Sequence, residues 1–140
     1  MGLDQIAYAT TVDPEGNEST VEQIASWRKH NRLHGWMEKL WESKGRPNWD
    51  GEESLLGDFN QIPLELTWTD LEQLEAHVLN KTLPQTEGFF FGGDSFKGED
   101  ADGNPPAKDG YYYKETDLVF IADARKALQE GQRVVYDSWW

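Results

Sequence analysis

Residues 62–79 read IPLELTWTDLEQLEAHVL, and the spacing of the apolar residues changes halfway along this stretch. Every second residue from Ile62 to Trp68 is apolar, which is typical of a strand with one buried face. From Leu71 onward the apolar residues recur with helical spacing, and residues 69–72 fit a capping box at the start of that helix. A strand that passes directly into a helix indicates a domain that contains both element types.

The rest of the chain repeats these two patterns. Strands are predicted over 3–9, 24–29, 62–68, 88–91 and 133–140. Asn31 is predicted to cap a helix from about Arg32 to Gly45, and a last helix is predicted over about 115–130, with Gly131 as its end. We therefore predict an α+β fold, in which about three helices pack on a mixed or antiparallel sheet of about four to five strands.

The length of 140 residues fits a single domain spanning 1–140. Residues 94–110 contain glycine, proline and acidic residues with almost nothing apolar, so we expect a mobile acidic surface loop there. The sequence has no cysteine, its start lacks a signal-peptide pattern, and no apolar run approaches the roughly 20 residues that cross a bilayer. We expect a cytoplasmic protein without membrane contact.

The composition is strongly acidic, with 26 acidic residues against 13 basic ones and a formal charge of −13. Such a charge repels the phosphate backbone of nucleic acids, which argues against general nucleic-acid binding. It also favours fast encounter with a basic protein partner. An interaction with a host protein through the acidic surface is therefore one functional hypothesis.

A cationic and aromatic segment, which we call the box, stands out from this acidic background. It contains Trp27, Arg28, Lys29, His30, Asn31, His34 and Trp36. The start of a helix favours an anion, because its free backbone N–H groups and the positive end of its dipole lie there. The box is therefore predicted to bind a phosphate or a carboxylate. The alternative is that its charges pair with nearby acidic residues on a solvated surface.

Motifs for a metal or a nucleotide cofactor are incomplete in this chain. His30 and His34 have the spacing of two zinc ligands, but Asn31 stands where a zinc protease needs Glu. Residues 98–109 miss both ends of a calcium loop, and residues 88–95 lack the lysine of a phosphate-binding P-loop. No metal and no cofactor are expected.

Two further segments supply candidate ligand contacts. A strand over 88–91 turns at least one phenylalanine away from the core, where it packs in a second layer or stacks on a ligand ring. At the C-terminus, Asp137 and Trp139 share one face of the predicted strand. We predict that Asp137 pairs with Arg28 or Arg125 and that Trp139 packs against the first helix; the alternative places Trp139 on a functional surface. The candidate residues from these regions are Phe89, Phe91, Gly92, Ser95, Arg125, Tyr136, Ser138 and Trp139.

Four blocks of the chain resemble a family of small uncharacterised bacterial and bacteriophage proteins. The blocks are the Met-Gly-Leu-Asp start, Trp-Arg-Lys with a following His-x-Trp at 27–36, the Gly-Phe-Phe-Phe-Gly segment within 83–92, and the Tyr-x-Ser-Trp end at 136–139. Some members are labelled phosphoglycerate kinase, but the glycine-rich nucleotide site of those longer enzymes is not matched here. The resemblance implies a bacterial or phage accessory protein without kinase activity.

Three functional hypotheses follow. The first is a binding protein whose cationic and aromatic pocket takes an anionic, ring-bearing ligand such as a nucleotide, with sequestration of a host signal, an anti-defence role, as a consequence. The second is an acidic interaction module or inhibitor of a host protein. The third is a small hydrolase or transferase in which His34 is the general base and Arg28 or Lys29 stabilises negative charge.

Overall fold

The computed structural model describes residues 2–54, 57–86, 96 and 111–140. The strand predicted over 88–91 lies outside these residues, as does the loop predicted over 94–110 except for residue 96. The described elements are β1 (Asp4–Val12), β2 (Glu18–Arg28), α1 (Asn31–Ser43), β3 (Leu64–Leu66), α2 (Trp68–Leu79), α3 (Lys114–Gln129) and β4 (Arg133–Trp139).

The four described strands form one antiparallel sheet in the order β2-β1-β4-β3. With the three helices, this confirms the predicted α+β class. β1 and β2 form a hairpin whose turn is held by Asp13, because its carboxylate accepts hydrogen bonds from the backbone N–H groups of Glu15 and Asn17 at 3.0 and 2.8 Å.

β2 is longer than predicted and begins six residues earlier, at Glu18. Residues 18–23 are exposed, so they carry no alternation of apolar and polar side chains that a sequence pattern could detect. Their strand conformation comes from pairing with β1, which extends to Val12↔Glu18. β2 is an edge strand of this sheet among the described strands.

The hydrophobic core lies between one face of the sheet and the helices. Along β1, Gln5, Ala7 and Ala9 are buried on this face, whereas Asp4, Ile6 and Tyr8 lie half-buried on the opposite face. The core cluster combines sheet residues with all three helices. Its centre includes Trp41 stacked on Phe59 with ring centroids 5.0 Å apart. Burying an aromatic side chain of this kind contributes about 2–3 kcal/mol.

Two helix starts differ from the predictions. Asn31 is the first residue of α1, and His30 precedes the helix without a side-chain capping bond, so the predicted Asn31 cap is wrong. α2 begins at Trp68, where Thr67 and Asp70 form the capping box. The capping box predicted over 69–72 lies two residues too late, because the chain offers two threonines with the same spacing to an acidic residue. Trp68 therefore belongs to a helix and not to the preceding strand.

None of the described helices combines the length and the apolar character that a membrane span requires.

Candidate functional site

The box spans the junction between β2 and α1, and Lys29 forms the bend. Its backbone has a φ of 55°, a left-handed conformation, and its N–H donates to the Leu3 carbonyl at 2.8 Å. The bend separates the box residues. Trp27 and His30 are buried, whereas the Arg28 side chain is exposed on the opposite face of the sheet.

The buried part of the box is organised around Asp117, in the first turn of α3. One carboxylate oxygen accepts the indole N–H of Trp27 at 2.8 Å, and the other lies 2.8 Å from His30 Nε2. The Tyr111 hydroxyl donates to that second oxygen. All four side chains are buried, and a buried carboxylate is tolerated only when hydrogen bonds replace its water. Asp117 therefore holds the box against α3.

Gln5 of β1 connects the same junction to β4. Its side-chain oxygen accepts the His30 N–H at 2.9 Å, and its side-chain nitrogen donates to the His30 carbonyl and the Tyr136 hydroxyl at 3.1 and 3.0 Å. The Tyr136 hydroxyl lies 2.9 Å from His34 Nδ1. Because this hydroxyl accepts from Gln5, its own proton is available for His34.

His34 is a buried, uncharged imidazole. Burial lowers its pKa to about 3. Its ring stacks on Phe59 at 5.2 Å and meets the edge of Trp140 at 5.1 Å. Burial favours the neutral form of Tyr136 as well, and it therefore raises the pKa of that hydroxyl. A buried imidazole of such low basicity does not fit the general-base hypothesis.

Six of the candidate residues lie in this interior: Trp27, His30, Asn31, His34, Tyr136 and Ser138. A ligand reaches them only if core residues move. Their hydrogen bonds and ring contacts correspond to a packed polar core, in which the residue types of the box serve structure.

A groove of about 420 Å³ opens on the opposite face of the sheet, where Arg28 and Trp139 lie. The strand register explains why they meet, because Asp4 of β1 pairs with Arg28 of β2 on one side and with Trp139 of β4 on the other. Ile6 and Ser26 continue the same face. Arg28 and Trp139, 111 positions apart by their residue numbers, thus flank one carboxylate.

Tyr113 forms a further wall of this groove. Its hydroxyl donates to the Arg28 carbonyl at 2.7 Å and accepts from the Arg28 N–H at 3.1 Å. Its ring stacks on His30 with centroids 4.8 Å apart. Tyr113, Asp4 and Asp117 are not among the residues predicted from the sequence. The Tyr111–Tyr113 run before a helix was the one available signal, and it did not indicate which ring would contact the sheet.

The charges in the groove interact weakly with each other. Arg28 Nε lies 4.0 Å from the Asp4 carboxylate, and the two side chains are 51% and 43% exposed. Such an exposed pair contributes at most about 1 kcal/mol. Both groups are therefore available to a ligand at little cost.

Two predictions about the C-terminal strand are wrong. Asp137 does not pair with Arg28 or Arg125; Arg125 binds Glu75 at 2.8 Å and links α3 to α2. Burial raises the pKa of the Asp137 carboxyl, against the effect of its hydrogen bond from the Ser138 N–H. Trp139 does not pack against α1, because the strand turns it to the opposite face, where it is 41% exposed.

Trp36 lies apart from the rest of the box. Its ring is 6.4 Å from His77 of α2, and it lines a different pocket between α1 and α2. The candidate residues Phe89, Phe91, Gly92 and Ser95 lie outside the described residues. Phe96 is described, and the Arg32 guanidinium lies 4.1 Å from its ring centre.

Within the described ranges, no group of three or more histidine and acidic side chains has an arrangement that could hold a metal ion. Comparison of the chain with family models, curated proteins and solved structures gives no match.

Proposed function

We propose that this chain is a binding protein whose groove between Arg28 and Trp139 takes an anionic, ring-bearing ligand of the nucleotide class. One observation carries the proposal: the strand register brings an exposed indole and an exposed guanidinium to either side of Asp4 in a single groove. Indole and guanidinium groups recognise the two ends of a nucleotide, its base and its phosphate.

Trp139 supplies the surface for the base. Its indole is 41% exposed on a sheet face, beside the half-buried Ile6. Exposing a large apolar ring to water is unfavourable, and a stacked base relieves this exposure. Stacking of a base on an aromatic side chain is worth about 1–3 kcal/mol.

Arg28 and Asp4 supply the polar contacts. β2 and β4 flank β1, so Arg28 and Trp139 stand about 10 Å apart across the sheet. This separation allows a mononucleotide to lie across β1 with its phosphate at Arg28. Asp4, between them, offers an acceptor for an amino group of the base, and it selects against ligands that are anionic throughout.

The resemblance to bacterial and phage accessory proteins gives this binding a biological setting. A small cytoplasmic protein that holds a nucleotide lowers the free concentration of that nucleotide. Sequestration of a host signal, without turnover, is therefore part of the proposal.

The proposal is tested by calorimetric titration of the full chain with a panel of linear and cyclic mononucleotides. We expect Trp139→Ala to weaken the best nucleotide at least about fivefold, from the lost stacking. Trp68→Ala is the matched control, because Trp68 is 40% exposed but lies on α2. Arg28→Gln should also weaken binding. Arg133→Gln, whose parent side chain is likewise 51% exposed, should not.

Two results would refute the proposal. One is the absence of measurable heat with every nucleotide of the panel. The other is a nucleotide whose affinity falls equally in the Trp139 and Trp68 variants, because such a loss would place the binding elsewhere.

A second candidate function is supported by the exposed part of β2. Residues 18–23 of this strand are exposed at the sheet edge. Glu22 lies beside Asp123 of α3 and Glu130, the residue after α3, in a shallow acidic pocket. Among the described strands this edge has no neighbour, and such an edge can accept a strand from a partner. The acidic side chains favour a basic partner. The function in that case is an acidic interaction module.

Capture from a bacterial lysate distinguishes this candidate. A basic protein should be recovered by the parent chain at low salt and released at high salt, and Glu22→Lys should abolish its recovery. Recovery by the Glu22→Lys variant at the parent level would rule out this edge as the interface.

A further inference from the structure

α1 and α2 form a pocket of about 340 Å³ that is separate from the groove on the sheet. Its walls combine Trp36, Lys39 and Leu40 of α1 with Gln73 and His77 of α2, and Pro84 closes it from the following segment. Small-molecule sites in proteins occupy volumes from about 300 Å³ upward and combine apolar walls with a few polar groups.

Each of the polar side chains in this pocket can donate a hydrogen bond, and one of them is a cation. Lys39 brings a full positive charge, and Gln73 and Thr82 bring an amide and a hydroxyl. No acidic residue is among its described lining residues, although the chain has 26 acidic residues against 13 basic ones. The local charge of the pocket is thus opposite in sign to that of the whole chain, which favours an anion.

The remaining walls are apolar. The indole of Trp36 and the side chains of Leu40 and Pro84 cover much of the surface. Trp27 and Trp41 donate their indole N–H groups to protein acceptors, whereas no described residue accepts the N–H of Trp36. Trp36 therefore offers a flat apolar wall, and its N–H has no acceptor among the described residues.

The segment that closes the pocket is held in place by contacts on both sides. Thr82 Oγ1 lies 2.9 Å from His77 Nδ1, and Arg32 donates to the Leu83 carbonyl at 2.7 Å. A side chain at Gly35 would place its Cβ 1.8 Å from Thr86 Oγ1, so this segment lies directly on α1. A pocket with ordered walls loses little entropy when a ligand binds.

We propose that the α1–α2 pocket binds a small monocarboxylate with an apolar body, with the carboxylate at Lys39 and the body against Trp36, Leu40 and Pro84. A single lysine and neutral donors match one negative charge better than they match a phosphate dianion. The apolar walls contribute affinity that inorganic anions cannot use. This inference does not depend on the nucleotide proposal, because the two sites share no lining residue.

The test is an NMR titration of the full ¹⁵N-labelled chain with phenylacetate. The indole N–H signal of Trp36 is identified as the one that disappears in Trp36→Phe. Phenylacetamide is the neutral isostere and sodium phosphate is the purely inorganic anion. We expect phenylacetate to shift the Trp36 signal saturably, and phenylacetamide and phosphate to bind at least about tenfold more weakly, a difference of about 1.4 kcal/mol.

Variants locate the charge contact. Lys39→Met removes the charge but keeps an unbranched side chain, and it should weaken phenylacetate at least about tenfold. Lys126→Met is the matched control, since Lys126 is also an exposed helical lysine but lines a different pocket. Both should keep the dispersed indole signals of a folded chain. Trp139→Ala should bind phenylacetate like the parent, so failure of the nucleotide site leaves this test intact.

Three outcomes overturn the inference. The first is the absence of a saturable shift of the Trp36 signal. The second is equal binding of phenylacetate and phenylacetamide, or unchanged binding in Lys39→Met, because either result removes the role of the charge. The third is tighter binding of phosphate than of phenylacetate, which shows an anion site without an apolar subsite.

Discussion

Lys29 separates the two environments of the box. Its left-handed backbone lies between Arg28, which faces solvent in the groove, and His30, which donates its N–H to Gln5 in the interior. A non-glycine residue in this conformation costs about 1 kcal/mol or more. Its N–H bond to Leu3 and the bonds of His30 to Gln5 offset that strain. The backbone conformation of Lys29 thus places Arg28 at the surface and His30 in the interior.

His34 should make the protein sensitive to mild acid. Its folded pKa of about 3 is below the ordinary value of 6.5, so between these values the unfolded chain binds a proton that the folded chain does not. The stability contributed by neutral His34 is full above about pH 6.5 and falls by up to about 1.4 kcal/mol per pH unit as the pH decreases. Urea unfolding between pH 7 and pH 4.5 measures this slope.

The His34→Gln variant isolates that contribution, because Gln does not titrate. The free energy of unfolding of the variant should depend less steeply on pH over the same range. The difference in slope should correspond to about one bound proton. Asp137 and Glu38 act in the opposite direction, since their raised pKa values make acid relieve the cost of their buried charge. Identical slopes for the parent and the variant would show that the imidazole is not buried in its neutral form.

At the level of elements, α2 depends on a start signal that connects it to α1. The Asp70 carboxylate accepts a hydrogen bond from the Thr67 N–H at 2.8 Å. It also accepts one from the ammonium group of Lys44, the residue after α1, at 2.5 Å. Lys44 also donates to the carbonyl of Glu65 in β3. The capping box therefore joins the end of α1 to the β3–α2 junction, in addition to satisfying free N–H groups of α2.

Thr67→Ala should lower the free energy of unfolding by about 1 kcal/mol, the usual effect of removing a capping side chain. Thr69→Ala is the matched control, because Thr69 lies inside α2, where alanine is the better helix former. It should leave stability unchanged or raise it slightly. Chemical denaturation of both variants decides between the two threonines. A larger loss for Thr69→Ala would place the cap where the sequence pattern first suggested it.

For the molecule as a whole, the C-terminal residues connect separate parts of the protein. β4 lies between β1 and β3, and the residue after it, Trp140, meets the edge of His34 in α1 at 5.1 Å. A Cβ added at Gly57 would lie 3.3 Å from the Trp140 ring, so this ring also covers the loop before β3. Trp140, and not Trp139, is the C-terminal indole that contacts α1.

The two tryptophans should therefore differ in their effects. Trp140→Ala should lower the free energy of unfolding by about 2 kcal/mol, less than the 3–5 kcal/mol typical of fully buried aromatic residues, because the ring is half-buried. Trp139→Ala should cost less than about 1 kcal/mol, since its ring faces the groove. Guanidinium unfolding midpoints compare the two variants. If Trp139→Ala were the more destabilising variant, the assignment of the two indoles would be reversed.

The amino-acid sequence was sufficient for the element types, because apolar periodicity and capping residues act within a few positions of each other. The α+β class and the helix ending near Gly45 follow from such local signals. The exposed half of β2 lacked a signal, since its conformation comes from pairing with β1. The sequence also contained no signal that Asp117 is the partner of His30 and Trp27. Asp117 is about 90 positions away along the chain and meets them only through tertiary packing. Likewise, the sequence made both Arg28 and Trp139 candidate ligand contacts, but only the antiparallel register, in which Asp4 pairs with both residues, determined that they lie on one face of the sheet and apart from His34.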